Sequence, residues 1–260
     1  MRWVRFERDG ATRYGIVDGE TVESVQGDPF SGYERTGRRW PLDEVTLRIP
    51  LEPRTFFAAG LNYAEHVTTA AVLLGETAKL PAKPDIGYRA TNALIADGED
   101  VIVPRDATEK VHYEGELVVV IGRRAKHLAP EEALSCVLGY SIGNDVSERS
   151  WQKQDRTLWR AKNSDTFKPM GPWIDTDVDL NALRTTVRVN GEITSTFKTN
   201  DMIFGVATYI SAMTRYITLF PGDMIWMGTD GASPDLADGD VVAIEIDPIG
   251  TLRNRFRREH

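Results

Sequence analysis

The sequence predicts an α+β fold, and three observations carry that prediction. Strand-like segments outnumber helix-like ones, and the two kinds do not alternate as they would in a doubly wound sheet. The first fifty residues form a strand-and-turn pattern of their own. The length of 260 residues suits one large domain, or a small one followed by a larger one, with a core that needs no disulfides.

Taken in order, the N-terminal segment reads as a small β meander. Trp3-Val4-Arg5-Phe6 alternates, Asp9-Gly10 is a turn signal, Tyr14-Gly15-Ile16-Val17 follows, and Asp18-Gly19 is a second hairpin turn. Gly27–Leu42 is rich in Gly, Arg and Pro and reads as a loop. Ile49-Pro50-Leu51-Glu52-Pro53 is the best boundary, which divides the chain into a small β domain at 1–50 and a larger domain at 51–260. Thr55–Ala59 then reads as a strand, and Ala64 to about Leu74 as a helix ending at Gly75. Ala78–Pro84, with two prolines and two lysines, reads as exposed loop. Leu117–Ile121 is a continuous branched run that suits a buried strand. Pro130–Leu138 has Pro in its first turn and Glu131 and Glu132 near the positive end of the dipole, so a helix is expected there. Strands are expected at Thr185–Val189 and Val241–Ile246, and a buried helix at Met202–Tyr216.

Composition narrows the function. With 31 basic against 39 acidic residues the chain carries −8, which argues against nucleic acid and against an anionic membrane surface as partners. The basic tail Arg253–Arg258 is better read as a solvated C-terminal strand. The single cysteine, Cys136, reads as a core residue and leaves no cysteine framework for disulfides or zinc. The N-terminus lacks the apolar block of a signal peptide, and the longest uncharged stretches, Ala133–Asn144 and Met202–Thr214, are too short to span a bilayer. A cytoplasmic protein is the expectation. Trp151, Trp159 and Trp226 read as core or dimer contacts.

The segment with the most chemistry is His112-Tyr113-Glu114-Gly115-Glu116, which runs into Leu117–Ile121. Residues i and i+2 of a strand share a face, so Glu114 and Glu116 project side by side. Adjacent carboxylates repel, and a hard divalent cation such as Mg²⁺, Mn²⁺ or Ca²⁺ removes that penalty. A polar face turned to water would have the same spacing. Val118 and Val120, however, continue the glutamate face as apolar residues and place the pair at the rim of a buried region. A third acid, Asp145, follows the strand-like Gly139–Asn144.

These pieces resemble the fumarylacetoacetate hydrolase family. The resemblance runs in order through Gly60-Leu61-Asn62-Tyr63 with His66, Tyr113-Glu114-Gly115-Glu116-Leu117, Gly143-Asn144-Asp145-Val146-Ser147-Glu148-Arg149, and Ala161-Lys162 with Asp165-Thr166-Phe167. It continues through Pro169–Trp173, Val189-Asn190-Gly191, Phe220-Pro221-Gly222-Asp223, Met227-Gly228-Thr229, Gly239-Asp240 and Ile249–Asn254. The resemblance implies a mixed-β catalytic domain behind a small N-terminal β domain, commonly in a homodimer. It implies Glu114, Glu116 and Asp145 as ligands of Mg²⁺ or Mn²⁺, His66 as general base, and Lys162 as the charge that steadies an oxyanion. Thr229 matches a substrate-carboxylate contact, and Arg89 stands where many members carry lysine near the pocket.

The implied reaction is hydrolysis of a carbon–carbon bond in a small 2-oxo or 1,3-diketo acid. The alternatives are an isomerase or tautomerase, a decarboxylase or a hydratase, and, from another class, a non-catalytic metal- or ligand-binding module. Two departures bear on the choice. Thr69 stands three residues after His66, where several members have Glu, and Gly228-Thr229-Asp230-Gly231 replaces Gly-Thr-Pro-x-Gly. Asp230 and Asp235 are the candidate partners that would orient His66.

Overall fold

The computed structural model describes residues 1–74 and 77–260. The predicted meander forms as β1 (Arg2–Arg8), β2 (Ala11–Asp18) and β3 (Thr21–Asp28), with turns at Asp9-Gly10, as expected, and at Gly19-Glu20, one residue later than expected because Asp18 still pairs with Thr21. The loop expected at Gly27–Leu42 is instead largely a strand, β4 (Gly32–Pro41), paired with β3 from Thr21↔Pro41 to Asp28↔Gly32. It is an edge strand exposed along nearly its whole length, so neither face demands apolar residues and the sequence shows no alternation. A bulge opposite Ser24 takes in Gly37 at φ 74°.

The rest of the chain supplies β5 (Thr46–Arg48), β6 (Phe56–Ala59), α1 (Ala64–Leu74), β7 (Ile86–Tyr88), β8 (Leu94–Ile95), β9 (Asp100–Val103), β10 (Val111–His112) and β11 (Gly115–Ile121). Then come α2 (Pro130–Ala133), β12 (Val137–Asn144), β13 (Ser147–Glu148), α3 (Arg149–Gln152), α4 (Trp159–Asn163) and β14 (Lys168–Asp175). Last are β15 (Arg184–Val189), β16 (Glu192–Lys198), α5 (Val206–Tyr216), β17 (Met224–Trp226), β18 (Val241–Asp247) and β19 (Gly250–Arg258). The helix stop expected at Gly75 lies outside the described residues.

Two expected helices are shorter than their patterns. The first ends at Ala133, passes through a single 3₁₀ turn at Leu134–Cys136, and gives way to β12 at Val137. There the Cys136 carbonyl accepts from Gly122 N–H at 2.7 Å and Val137 pairs with Ile121, so sheet pairing overrides local helix preference. The second starts at Val206 rather than Met202, because Asn62 holds the approach to it. The Asn62 carbonyl accepts from Ile203 N–H at 2.7 Å, and its side chain accepts from Phe204 N–H at 3.0 Å.

Among the described residues the strands form a twelve-stranded mixed sheet, whose main path runs β4-β3-β2-β1-β14-β12-β11-β17-β6-β7, a five-stranded sheet ordered β16-β15-β18-β19-β9, and a two-stranded pair β10-β13. The meander joins the larger sheet through the β1–β14 pairs Arg2↔Asp175 and Trp3↔Ile174. Trp3, Ile16, Phe56, Val118, Val120, Met170 and Trp226 pack into one apolar cluster across that junction. The larger cluster lies against the other side of β11 and includes Leu117, Val119, Cys136, Phe167 and Ile244. Trp226 and Trp151 are buried, whereas Trp159 is exposed. No helix among the described residues is long and apolar enough to cross a membrane.

Register at the centre of the sheet decides where the acids meet. Gly115 pairs with Asn144 and Glu116 with Gly143, so Asp145 emerges beside Glu114 as β12 ends. Asp145 N–H donates to the Glu114 carbonyl at 2.9 Å, and Glu114 N–H donates to the Asn144 side chain at 3.0 Å. Gly143 allows this close packing, since a Cβ there would lie 2.7 Å from the Trp226 ring.

Candidate active site

Glu114, Glu116 and Asp145 are 3%, 3% and 1% exposed, and each offers a carboxylate oxygen within 4.8 Å of the others. The alternation that pointed to a rim led to a fully buried centre. Four cations surround it. Arg89 forks onto Asp145, with Nε 3.0 Å from Oδ1 and Nη2 2.9 Å from Oδ2. Lys162 Nζ on α4 bridges Glu114 Oε2 at 2.5 Å and Asp145 Oδ2 at 2.7 Å. Lys168 Nζ lies 2.8 Å from Asp145 Oδ1 and also donates to the carbonyls of Val146 at 3.0 Å and Phe167 at 2.8 Å. Arg149 Nη1 stands 2.7 Å from Glu114 Oε1.

These partners are unequally shared. Burial pushes Asp145 upward, but Arg89, Lys162 and Lys168 outweigh it and hold the carboxyl well below its ordinary range. Burial likewise opposes the charge on Glu114, and Lys162 and Arg149 bring it down to about 2. Among the described residues no cation is in contact with Glu116. Its Oε2 accepts from Gly228 N–H at 2.8 Å, and burial together with the charges of Asp145 and Glu114 pushes it up to about 8. A cation is the partner Glu116 lacks.

The donor set fits a divalent ion. All three groups are hard oxygen donors, which suit Mg²⁺ or Mn²⁺. Among the described residues, buried Glu114 Oε1 has the 2.7 Å ion-pair contact with Arg149 and no aligned hydrogen bond.

His66, on α1, faces this centre. Burial lowers its pKa, Glu114 and the Thr229 backbone raise it, and Arg149 and Lys162 add to the lowering. The net shift is downward, which favours the neutral ring. Its ring packs on Gly231, where φ is 87° and a Cβ would lie 2.5 Å from His66 Cδ2. Thr229 is buried on the same loop. Neither expected acid partner pairs with His66. Asp235 is engaged by His112 Nε2 at 2.8 Å and Lys110 Nζ at 2.6 Å, and Asp230 by Ser195 Oγ at 2.9 Å. The docking of the 228–237 loop on β10, through Leu236 N–H to the Val111 carbonyl at 2.9 Å, carries Asp235 to His112.

Sequence reasoning passed over Lys168, Arg149 and His112 as members of this site. Lys168 had a signal, a lone lysine among Phe167, Pro169 and Met170, and it is fully buried. A cavity of about 810 Å³, lined in part by Tyr88, Arg89, Trp159 and Asn163, touches the centre through Arg89 and does not include the acids.

Comparison with known proteins gives a consistent family. The chain is 36% identical to Protein Rv2993c of Mycobacterium tuberculosis, over 100% of this chain and 99% of that protein. It is 34% identical to a 2,4-didehydro-3-deoxy-L-rhamnonate hydrolase of Sphingomonas, over 98% and 95%. It is 32% identical to the oxaloacetate tautomerase YisK of Bacillus subtilis, over 92% and 87%. Among solved structures, a 2-hydroxyhepta-2,4-diene-1,7-dioate isomerase from Mycobacterium marinum superposes with a TM-score of 0.89 at 36% identity, covering 100% of this chain and 99% of that one. A maleylpyruvate hydrolase from Sphingobium sp. SYK-6, in complex with manganese(II) and pyruvate, superposes with a TM-score of 0.80 at 25% identity and 100% coverage of both chains. Residues 1–50 match the family model "Rv2993c-like, N-terminal". Residues 55–257 match "Fumarylacetoacetate (FAA) hydrolase C-terminal", and on that match the chain belongs to the fumarylacetoacetate hydrolase family.

Proposed function

We propose that this protein is a metal-dependent enzyme that moves a proton at the carbon beside the 2-oxo group of a small 2-oxo or 1,3-diketo acid. The observation that carries the reading is the buried Glu114–Glu116–Asp145 centre with Lys162 in contact and a neutral His66 facing it. Glu114, Glu116 and Asp145 would hold Mg²⁺ or Mn²⁺, whose chemistry there is Lewis acidity that makes the proton beside a ketone easier to remove. His66 takes that proton and returns it, a role that a ring kept neutral by burial fills at pH 7. The Lys162 ammonium steadies the negative charge that develops on oxygen. Thr229 holds the substrate carboxylate, while Arg89 and Lys168 keep Asp145 ionised and in place.

Among the described residues no carboxylate pairs with His66. This favours carbon-to-carbon or keto–enol proton transfer, in the manner of a tautomerase or isomerase, over activation of water. Hydrolysis of a carbon–carbon bond is the second reading, and Lys162 favours it, since an ammonium beside the centre also suits a tetrahedral oxyanion.

The test incubates the protein and Mn²⁺ with a panel of such acids in deuterated water. Exchange at C3 without cleavage supports proton transfer, cleavage into two products supports hydrolysis, and neither would leave a binding module. His66→Ala should lower kcat by about 10²–10⁴-fold with Mn²⁺ affinity unchanged. Parental turnover removes His66 from the mechanism. The reading includes a homodimer, which light scattering at micromolar concentration tests.

A further inference from the structure

We infer that His112 is a positioning residue, which sets Arg149 against Glu114 and ties that arginine to the loop carrying Thr229. The inference rests on the divalent-cation reading of the acid centre. Arg149 opens α3, and its backbone N–H donates to the Lys110 carbonyl at 2.8 Å, so its Cα is fixed beside β10. Its side chain is then held on two sides. Nε donates to His112 Nδ1 at 3.1 Å, and Nη1 donates to Gln152 Oε1 at 2.9 Å. With both nitrogens tethered, the plane of the guanidinium is set, and Nη1 comes to rest 2.7 Å from Glu114 Oε1.

The direction of these bonds determines the histidine tautomer. An arginine has no acceptor, so His112 Nδ1 must be the bare nitrogen and Nε2 must carry the hydrogen. That hydrogen donates to Asp235 Oδ1 at 2.8 Å. Asp235 is held in turn by Lys110 Nζ at 2.6 Å. The result is a chain of four groups, Asp235–His112–Arg149–Glu114, which starts at a half-exposed carboxylate and ends at a buried one.

The last link has a particular geometry. Arg149 is close to Glu114 Oε1, yet that oxygen has no aligned hydrogen bond. The arginine therefore balances the charge of that oxygen without an aligned hydrogen bond to it. An untethered arginine would be free to swing onto the carboxylate in the usual fork and compete with the ion. Holding Arg149 one step short of that fork is what His112 contributes.

The experiment measures Mn²⁺ affinity by calorimetry on the full chain after chelation, with Glu116→Ala as the control that tests the metal reading itself. With the parent binding and that control not binding, His112→Phe, which keeps a ring and loses the acceptor, should weaken Mn²⁺ by about 10–100-fold. His112→Asn, whose Oδ1 replaces Nδ1 as the acceptor for Arg149, should restore nearly parental affinity. Parental affinity in His112→Phe overturns the inference, and so does an equal loss in His112→Asn, which would mark a steric role only. If His112→Phe does not fold, Asp235→Ala decides. Weaker Mn²⁺ binding supports the chain, and parental affinity overturns it.

Discussion

Glu23 and Glu116 are both buried glutamates on strands of the same sheet, 5% and 3% exposed, and they are in opposite electrostatic states. Glu23 receives Arg35 Nη1 at 2.8 Å, Arg39 Nη2 at 3.0 Å and Gly37 N–H at 3.2 Å. The Arg35 hydrogen bond holds its carboxyl below the ordinary value. Both arginines come from β4, the exposed edge strand, and reach over to a charge that faces inward. Glu116 has one backbone N–H and two like charges for neighbours, and it is pushed up to about 8. The difference teaches how to read a buried acid. One whose charge is fully answered by its own chain serves the fold, whereas one left short of positive charge inside a cluster of acids is arranged for something the chain does not supply.

The largest effect expected from this contrast is at Glu116. Glu116→Ala should abolish Mg²⁺ or Mn²⁺ binding in calorimetry, because it removes one of the three carboxylates that would hold the ion. Binding at parental strength would break the comparison at its centre.

A smaller and sharper effect concerns pH. In the metal-free protein Glu116 keeps its proton up to about 8, whereas the unfolded chain loses it near the ordinary 4.5. Between these values the folded state binds the extra proton, so this group's contribution to stability falls as pH rises through that window. Metal binding must expel the proton, so Mn²⁺ affinity should rise by up to about tenfold per pH unit below 8 and level off above it. Calorimetry in buffers of different ionisation enthalpy reads the released proton directly. A flat affinity from pH 6 to 8 would place Glu116 among the ordinary carboxylates.

The smallest effect belongs to the other region. Glu23→Gln should lower the melting temperature modestly and leave Mn²⁺ affinity and turnover at parental values. A loss of metal binding in that variant would mean the two acids are not independent.

Much of the molecule is legible in local pattern. Period-two alternation with Asp-Gly turns marks β1 to β3, a branched apolar run marks β11, and the spacing of Glu114 and Glu116 puts two carboxylates on one face. These are properties of neighbours in the chain, and covalent geometry alone sets them. Local pattern is weakest where a distant partner decides. β4 is a strand because β3 pairs with it, and α2 stops because Val137 enters the ladder with Ile121.

The same division runs through the site. By itself the sequence determined the α+β class, the pair of glutamates and the motifs that name the family. Only the tertiary structure decided which charges answer which acids. Lys168 reaches Asp145 from β14, the strand paired with β12, Arg89 comes from just past β7 to fork onto the same carboxylate, and Asp235 goes to His112 instead of His66. A salt bridge or hydrogen bond depends on a few ångströms between residues tens of positions apart, and that distance exists only once sheet register has been set.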